Sequence, residues 1–250
     1  MPGPRLAFPE IVQDDQNGHW MNIQAVGRGA DNTPQATVTL FIPGGTNSPM
    51  VWETNHEYQE AKLSKIITGA ASSIPIVGTA IAAVAGAAPM AGGAINPKVE
   101  VLYRDTNLRR FQFNFFMAPS SPSESRTLKE IVKTLRKFSS PTLVGGRSDP
   151  EEGYIGNQGV FSGGYLSSGG LFLSPSEFRI RFYYKDKNGV WQDNLNIPRI
   201  GRCVIEHIDI NYAQQGEWST FHDGAPTSAM LQMVFREMRV IDSQNVEDGY

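Results

Sequence analysis

Strands are predicted along most of the chain by segments in which β-branched or aromatic residues are mixed with polar ones. The clearest case is residues 111–117, where Phe111, Phe113, Phe115 and Met117 alternate with polar residues, as in a half-buried strand. The predicted strands are 20–26, 36–43, 50–58, 98–104, 110–117, 177–185, 203–212 and 229–241. Turns are predicted where Asn188 and Asp223 each precede a glycine.

One helix is predicted after residues 110–117. Ser121 supplies an N-cap, Pro122 occupies the first helical position, and Glu124 follows three residues after the cap. Apolar residues then recur at helical spacing: Leu128, Ile131, Val132, Leu135 and Phe138. Pro141 ends the helix. Its remaining surface is basic and is interpreted as a solvated face, with a phosphate or an acidic neighbour as the alternative.

Two segments do not follow the strand pattern. Residues 66–95 carry no charge and consist largely of alanine and glycine, with Pro75 and Pro89 among them. The length would suffice for a membrane span, but the prolines and the few large side chains favour a packed or mobile insertion. Residues 142–176 are rich in glycine and serine and are predicted to be either a hairpin-like loop that becomes ordered against a partner, which is favoured, or a flexible insertion.

These elements predict a mainly β (α+β) fold, in which antiparallel sheets are covered by one another or by the amphipathic helix. A length of 250 residues fits a single domain spanning 1–250 that carries the insertion 66–95 and the loop 142–176.

Net charge and cysteine content indicate which kinds of binding partner and which cellular compartment the protein is suited to. The formal net charge is −3. The chain therefore lacks the excess of basic residues that would indicate nucleic acid as a direct ligand. A mildly negative surface would instead suit a passage to which DNA must not adhere. Cys203 is the single cysteine, which rules out an intramolecular disulfide and a cysteine-based zinc site; it is interpreted as a buried hydrophobe. The N-terminal residues lack the order of a secretory signal, and we expect synthesis in the cytoplasm.

The motifs of common enzymes are absent from the sequence. His207 and Asp209 share one face of a predicted strand, but no Gly-x-Ser-x-Gly elbow accompanies them. No phosphate-binding loop occurs, and His56-Glu57 lacks the second histidine of a zinc protease motif. We therefore predict that the protein is not an enzyme and has no catalytic, cofactor-binding or metal site.

The order of several short motifs in residues 98–250 resembles a known family. These motifs are residues 115–119 (FFMAP), 123–125 (SES), Pro141, 173–178 (LSPSEF), 198–204 (PRIGRCV), 208–212 (IDINY), 221–226 (FHDGAP), 233–237 (MVFRE) and 249–250 (GY). In this order they are similar to the baseplate tail-tube junction proteins and tail-tube initiators of contractile-tailed, T-even-like bacteriophages. The first hundred residues match only loosely.

The resemblance implies a β-sandwich or barrel of the phage tail-tube type with one flanking helix. It implies hexameric rings, in which sheets of neighbouring subunits join into a continuous barrel, and a place in the virion at the junction of baseplate and tail tube. The expected partners are further copies of the chain, the tail-tube protein, the baseplate hub and the neighbouring ring proteins, with the tape-measure protein as a further candidate. DNA would pass in transit only, no stable membrane insertion is expected, and no cofactor is implied.

Within that family the strands 111–117 and 229–241 would lie in the tube sheet, and 66–95 and 142–176 would make contacts between rings. The predicted subunit-interface residues are Phe111, Phe113, Phe115, Arg179, Arg181, Met233, Phe235, Arg236 and Glu237. The sequence leaves open whether the ring is the tube initiator or the ring next to the hub. Two further alternatives are a tail protein that acts on membranes through 66–95 and a baseplate glycosidase or esterase.

Overall fold

The computed structural model describes residues 3–10, 18–27, 33–44, 49–62, 99–144, 146–149, 153–156, 171–213 and 216–250. It divides the chain into two compact units, one formed by Met1–Glu53 with Leu108–Tyr250 and the other by Thr54–Asn107. The structure thus separates Thr54–Asn107 from the rest, where the sequence predicts one domain. The segment 66–95 lies outside the described residues, as does much of 142–176.

The protein is mainly β, as predicted. The strands are β1 Arg5–Phe8, β2 His19–Val26, β3 Pro34–Leu40, β4 Met50–Glu53, β5 His56–Lys62, β6 Val99–Thr106, β7 Arg110–Met117, β8 Thr142–Val144, β9 Gly146–Asp149, β10 Gly153–Gly156, β11 Leu171–Leu173, β12 Glu177–Lys185, β13 Trp191–Asp193, β14 Cys203–Asn211 and β15 Ala229–Glu237. The helices are α1 Pro122–Ser139 and α2 Ser243–Glu247.

Nine strands of the first unit form one mixed sheet. Its order is β1-β3-β2-β12-β14-β15-β7-β4, and β13 also pairs with β12. The pair β1–β3 is parallel, whereas the other pairs in this sheet are antiparallel. The sheet therefore departs from the predicted all-antiparallel arrangement at one edge.

This sheet folds over on itself. Strands β12 and β4 are far apart in the strand order, yet the rings of Phe182 and Trp52 lie 6.0 Å apart. Phe113 on β7 is 6.3 Å from Phe182, and Phe41, which follows β3, is 5.5 Å from Phe115. We call β1-β3-β2-β12-β13 the first half-sheet and β14-β15-β7-β4 the second; their apolar faces meet and enclose the core.

The two half-sheets are joined by very little strand pairing. Among the described residues, β12 and β14 pair only where Phe178 lies opposite Cys203. Beyond that point the C-terminal part of β12 pairs with β13 instead, with Tyr183 opposite Asp193. The sheet therefore turns its corner at this single residue pair.

Helix α1 is confirmed with the predicted cap. The hydroxyl of Ser121 accepts a hydrogen bond from the Glu124 backbone N–H (3.2 Å), and the helix ends before Pro141. It packs against β1 and β14. Its buried apolar residues, which join the core, are Leu128, Ile131, Val132 and Leu135. Periodicity alone located this face correctly because a helix on a sheet buries one continuous stripe.

The second unit contains an antiparallel pair formed by β5 and β6. The predicted strand 50–58 is wrong as a single element, because β4 pairs with β7 in the first unit and β5 pairs with β6 in the second. The rings of Tyr58 and Tyr103 lie 6.0 Å apart in this pair, and each side chain remains 59% exposed. Alternation predicted the extended backbone but not the change of partner.

One further prediction needs correction. The strand predicted at 229–241 ends at Glu237, and helix α2 forms in the tail that follows, where the sequence predicts no element. Asp242 caps α2 by accepting a hydrogen bond from the Asn245 N–H (2.9 Å), and the Asp242 N–H donates one to Asn245 Oδ1 (3.2 Å). The predicted loop 142–176 also contains two short antiparallel pairs, β8 with β11 and β9 with β10.

Candidate assembly interface

Strands β7 and β15 pair from Arg110 and Arg236 to Met117 and Ala229, and they carry seven of the nine predicted interface residues, of which five are apolar. Phe111, Phe113, Phe115, Met233 and Phe235 all point inward and have no exposed surface. Because they fill the space between the half-sheets, they hold this chain together and offer no surface to a neighbouring subunit. The strict alternation that singled them out in the sequence indicates a core.

The predicted arginines lie on the outward faces. On β12, Arg179 and Arg181 are paired in register with Gln24 and Asn22 of β2, and both remain partly exposed. Arg181 Nη1 lies 3.5 Å from the carbonyl oxygen of Ile200. An interface role for Arg179 and Arg181, and for Arg236 on the second half-sheet, stays a prediction.

Glu237, the ninth predicted interface residue, is buried and forms an ion pair within the subunit. Arg109 Nε and Nη2 donate to its two carboxylate oxygens, each at 2.7 Å, and the side chains are only 9% and 2% exposed. The N–H of Gly201 donates to Glu237 Oε1 at 2.7 Å, and Arg109 Nη2 donates to the Arg199 carbonyl at 3.1 Å. This bidentate pair fixes the segment 199–201 against the end of β15.

The close approach of the Glu237 carboxylate explains the glycine at position 201. A Cβ there would lie 3.0 Å from Glu237 Oε1, so any larger residue would displace the carboxylate. Next to it, Arg202 Nη1 donates to Glu177 Oε2 at 2.7 Å and to the Gly27 carbonyl at 3.1 Å. The motif at 198–204 is therefore held by one ion pair to β12 and by backbone hydrogen bonds to the Arg109–Glu237 pair.

Sequence reasoning missed Arg109, although a signal was present. Arg109 is in phase with Phe111, Phe113 and Phe115, and Glu237 is in phase with the inward residues of β15. A charge at an inward position of an apolar alternation calls for an opposite charge beside it, because burial of an unpaired ion is costly. Two such charges on different strands would have predicted the pair.

Among the described residues, the second half-sheet has an open edge on each side. On one side is β4, which pairs with β7 and with no other described strand; on the other is β14, whose described pairing away from β15 is confined to Cys203. Asn114 N–H donates to the Pro49 carbonyl at 3.2 Å, so by antiparallel alternation the amides of Met50 and Trp52 point to the open edge. On β14 the amide of Ile210 donates to the Asp209 carboxylate at 2.9 Å.

The outward face of this half-sheet carries amide, charged and apolar side chains. Its centre holds amide side chains, with Gln232 on β15 opposite Asn114 on β7, and Gln112 further along β7. At one end a row of charges crosses the strands: Glu206 of β14 lies between Arg110 and Arg236. Partly exposed apolar side chains share this face: Met230 of β15 lies opposite Phe116 of β7, and Val234 lies opposite Gln112.

Helix α1 is anchored at its first turn by the Glu124 carboxylate, which is 6% exposed. Burial raises the pKa of Glu124, but hydrogen bonds from the Ser120 N–H (2.8 Å), the Ser120 hydroxyl (2.9 Å) and the Glu10 N–H (3.2 Å) outweigh it. The net pKa of Glu124 therefore lies below its ordinary value. The carboxylate ties the chain after β1 to the helix start.

The turn at 221–226 is attached to the same helix. Arg126 donates to Asp223 Oδ2 at 3.0 Å, and the Ser125 hydroxyl donates to the Pro226 carbonyl at 2.7 Å. The hydrogen bond from Arg126 holds the pKa of Asp223 below its ordinary value. Gly224 has a φ of 78°, which explains the glycine in this predicted turn.

The remaining candidates for chemistry are placed as follows. Cys203 is fully buried, and burial followed by the charges of Glu237 and Glu177 raises the pKa of its thiol well above the ordinary value. His207 and Asp209 share one face of β14, as predicted; this face points outward, and both residues are exposed. Among the described residues no group of three or more His, Cys, Asp or Glu side chains could hold a metal ion. Within that same part of the chain, no helix has the length and apolarity to cross a membrane.

No protein-family model and no curated protein matches the chain.

Proposed function

We propose that this protein is a structural component of a contractile phage tail that forms a ring at the junction between baseplate and tail tube. The ring templates or caps the assembly of the tube and forms part of the conduit through which DNA is ejected. The sequence resemblance over residues 98–250 names the family, and the open edges of the second half-sheet carry the proposal physically.

A sheet that is open on both sides can be extended by copies of itself. The β4 edge presents backbone amides that have no strand partner among the described residues, and β14 presents the opposite edge of the same four strands. Pairing β4 of one subunit with β14 of the next is a head-to-tail contact, which closes into a ring when the rotation permits. The backbone hydrogen bonds left open in one copy would then be satisfied by its neighbour.

The chemistry of the outward face agrees with a ring that encloses a passage. In a hexamer the apolar faces of the sheets remain buried inside each subunit, and the outward faces of six copies line the lumen. The amides of Gln112, Asn114 and Gln232 lie on that face and keep it hydrated without a strong field. The formal net charge of −3 is in keeping with DNA that passes through and does not bind.

The decisive experiment is the mass of the purified protein, alone and mixed with the tail-tube protein of the same genome, followed by negative-stain imaging. Six-fold rings, or tubes that form only in the mixture, would support a ring that initiates the tube. A protein that joins the baseplate hub but never the tube would support the ring next to the hub. A stable monomer that binds liposomes through residues 66–95 would contradict the proposal and favour a membrane-acting protein.

Pairing through β4 can be tested separately with Met50→Pro. Proline removes an amide that points to the open edge, and the Val51–Gln112 hydrogen bonds within the subunit are left intact. We expect loss of rings with the subunit still folded, measured by sedimentation and circular dichroism. Met50→Ala is the control, because it shortens the side chain but keeps the amide; rings that form equally with both variants would exclude this edge.

A further inference from the structure

Three charged side chains form a compact group on the outward face of the second half-sheet. Arg110 Nε lies 3.1 Å from Glu206 Oε2, and Arg236 Nη2 contacts Glu206 Oε1. Arg110 Nη2 lies 3.3 Å from the same Oε1. One carboxylate is therefore shared by two guanidinium groups from neighbouring strands, and the three side chains are 34–43% exposed.

A β-bulge places Glu206 in this position. The register between β14 and β15 shifts between Ile205 and His207, so Glu206 is the additional residue. Ile205 and Ile208 both remain packed against the core, while Glu206 joins the arginines outside. Without the bulge, the residues after Glu206 would exchange faces.

Stability does not account for this arrangement. Exposed ion pairs contribute little to folding, and a second arginine on the same carboxylate gains less than the first. Two guanidinium groups that project side by side from paired strands are, however, the donors that bind phosphate oxygens in a bidentate manner. With Glu206 between them, Arg110 Nε and Nη2 and Arg236 Nη2 contact a carboxylate, and the positive charge of the pair is partly neutralised.

We propose that Glu206 masks a phosphate-binding pair formed by Arg110 and Arg236, so that this face does not retain nucleic acid. The setting of this role, a ring through which DNA passes, rests on the proposed function. The masking itself is a property of the single chain. Arg110 and Arg236 would still shape the local field, but they would not hold a DNA phosphate while Glu206 lies between them.

The test is Glu206→Gln, which keeps the size of the side chain and removes its charge. Binding of a short fluorescein-labelled DNA duplex is measured by anisotropy over a range of salt concentrations, with wild-type protein in parallel. We expect about tenfold tighter binding at low salt and a dependence of log K on log salt that is steeper by about 1–2, because two more phosphate contacts form. Adding Arg110→Gln or Arg236→Gln to the variant should reverse most of the gain.

The matched control is Glu130→Gln on helix α1. Glu130 also pairs with a cation, Lys133 at 3.4 Å, and the substitution removes the same single negative charge from an exposed site. We expect its DNA binding to match the wild type. An equal gain with Glu130→Gln would show a general charge effect and would overturn the proposal, as would a Glu206→Gln variant that binds no better than wild type.

The mask and the proposed function fail in different ways. Ring and tube formation are scored by imaging with wild type and with Glu206→Gln, independently of the anisotropy. A wild-type protein that never assembles would refute the ring while a gain of DNA binding in Glu206→Gln would still support the mask. Normal assembly with unchanged DNA binding in the variant would refute the mask and leave the ring intact.

Discussion

The two faces of the β7–β15 strand pair use nearly the same residues for opposite purposes. Arg109 and Glu237 turn inward and form a buried bidentate pair, while their sequence neighbours Arg110 and Arg236 turn outward and share Glu206. The distances are similar, but the inner pair is 9% and 2% exposed and the outer group is 34–43% exposed. The contribution of each ion pair to the free energy of unfolding therefore depends on its exposure to solvent more than on its geometry.

In the interior, water cannot solvate a charge that loses its partner. The buried pair therefore stabilises the contact between β15 and the segment 199–201. On the outward face, water and salt ions solvate a charge that loses its partner. The outward arginines and Glu206 can therefore promote or prevent the binding of a ligand without a large effect on stability. Variants that touch only one face should therefore differ sharply in their effect on stability.

The largest difference is expected for the apolar residues. Phe113 has no exposed surface and its ring lies 5.9 Å from Phe235 and 6.0 Å from Trp52. Phe113→Ala should lower the free energy of unfolding by about 3–5 kcal/mol, since it leaves a cavity between the half-sheets. The outward neighbour serves as control: Gln112→Ala should change it by less than about 0.5 kcal/mol. Urea unfolding followed by tryptophan fluorescence measures both, and similar losses would show that the faces are wrongly assigned.

The ion pairs give the next largest contrast. Glu237→Gln removes the charge opposite buried Arg109 and should cost about 3 kcal/mol in the free energy of unfolding. The loss should persist in high salt, because the site is shielded from solvent. The double variant Arg109→Met with Glu237→Leu should recover a large part of it. A loss below about 1 kcal/mol for Glu237→Gln would mean that water reaches the pair.

Glu124 should lie between these extremes, because its carboxylate is buried but held by neutral donors. Glu124→Gln should cost about 1–2 kcal/mol at neutral pH through the weakened hydrogen bonds. Since the folded pKa is below the unfolded value of about 4.3, the stabilisation is present above that pH and is lost as the pH falls through the folded pKa. Unfolding free energies of wild type and variant should converge on acidification. A difference in unfolding free energy between wild type and variant that stays constant down to pH 3 would show that the charge of Glu124 is not its cause.

The smallest change in stability is expected for Glu206→Gln. Its exposed ion pairs should be worth less than about 1 kcal/mol in the free energy of unfolding, and the difference should shrink as salt is added. Thermal unfolding at two salt concentrations measures this. A loss as large as that of Glu237→Gln would show that the outward group is a structural joint too, and the contrast between the faces would disappear.

Much of the local structure could be predicted because it depends on neighbours along the chain. The cap at Ser121, the apolar stripe of α1 and the inward residues of β7 all follow from periodicity and from hydrogen bonds within a few residues. The same rules failed at residues 50–58, where extended backbone continues but the pairing partner changes. The alternation of apolar and polar residues shows which side chains of a strand point inward. It does not show which other strand pairs with it.

Periodicity and composition were enough to specify a mainly β chain with one amphipathic helix, a buried cysteine and Phe-rich inward positions. Folding in three dimensions was needed to pair Arg109 with Glu237 across 128 residues, to insert the bulge at Glu206 and to leave β4 and β14 at the edges of the described second half-sheet. These features arise from contacts between segments distant in sequence, where pairing and burial are settled by the whole sheet. The surfaces on which assembly would depend belong to this second group.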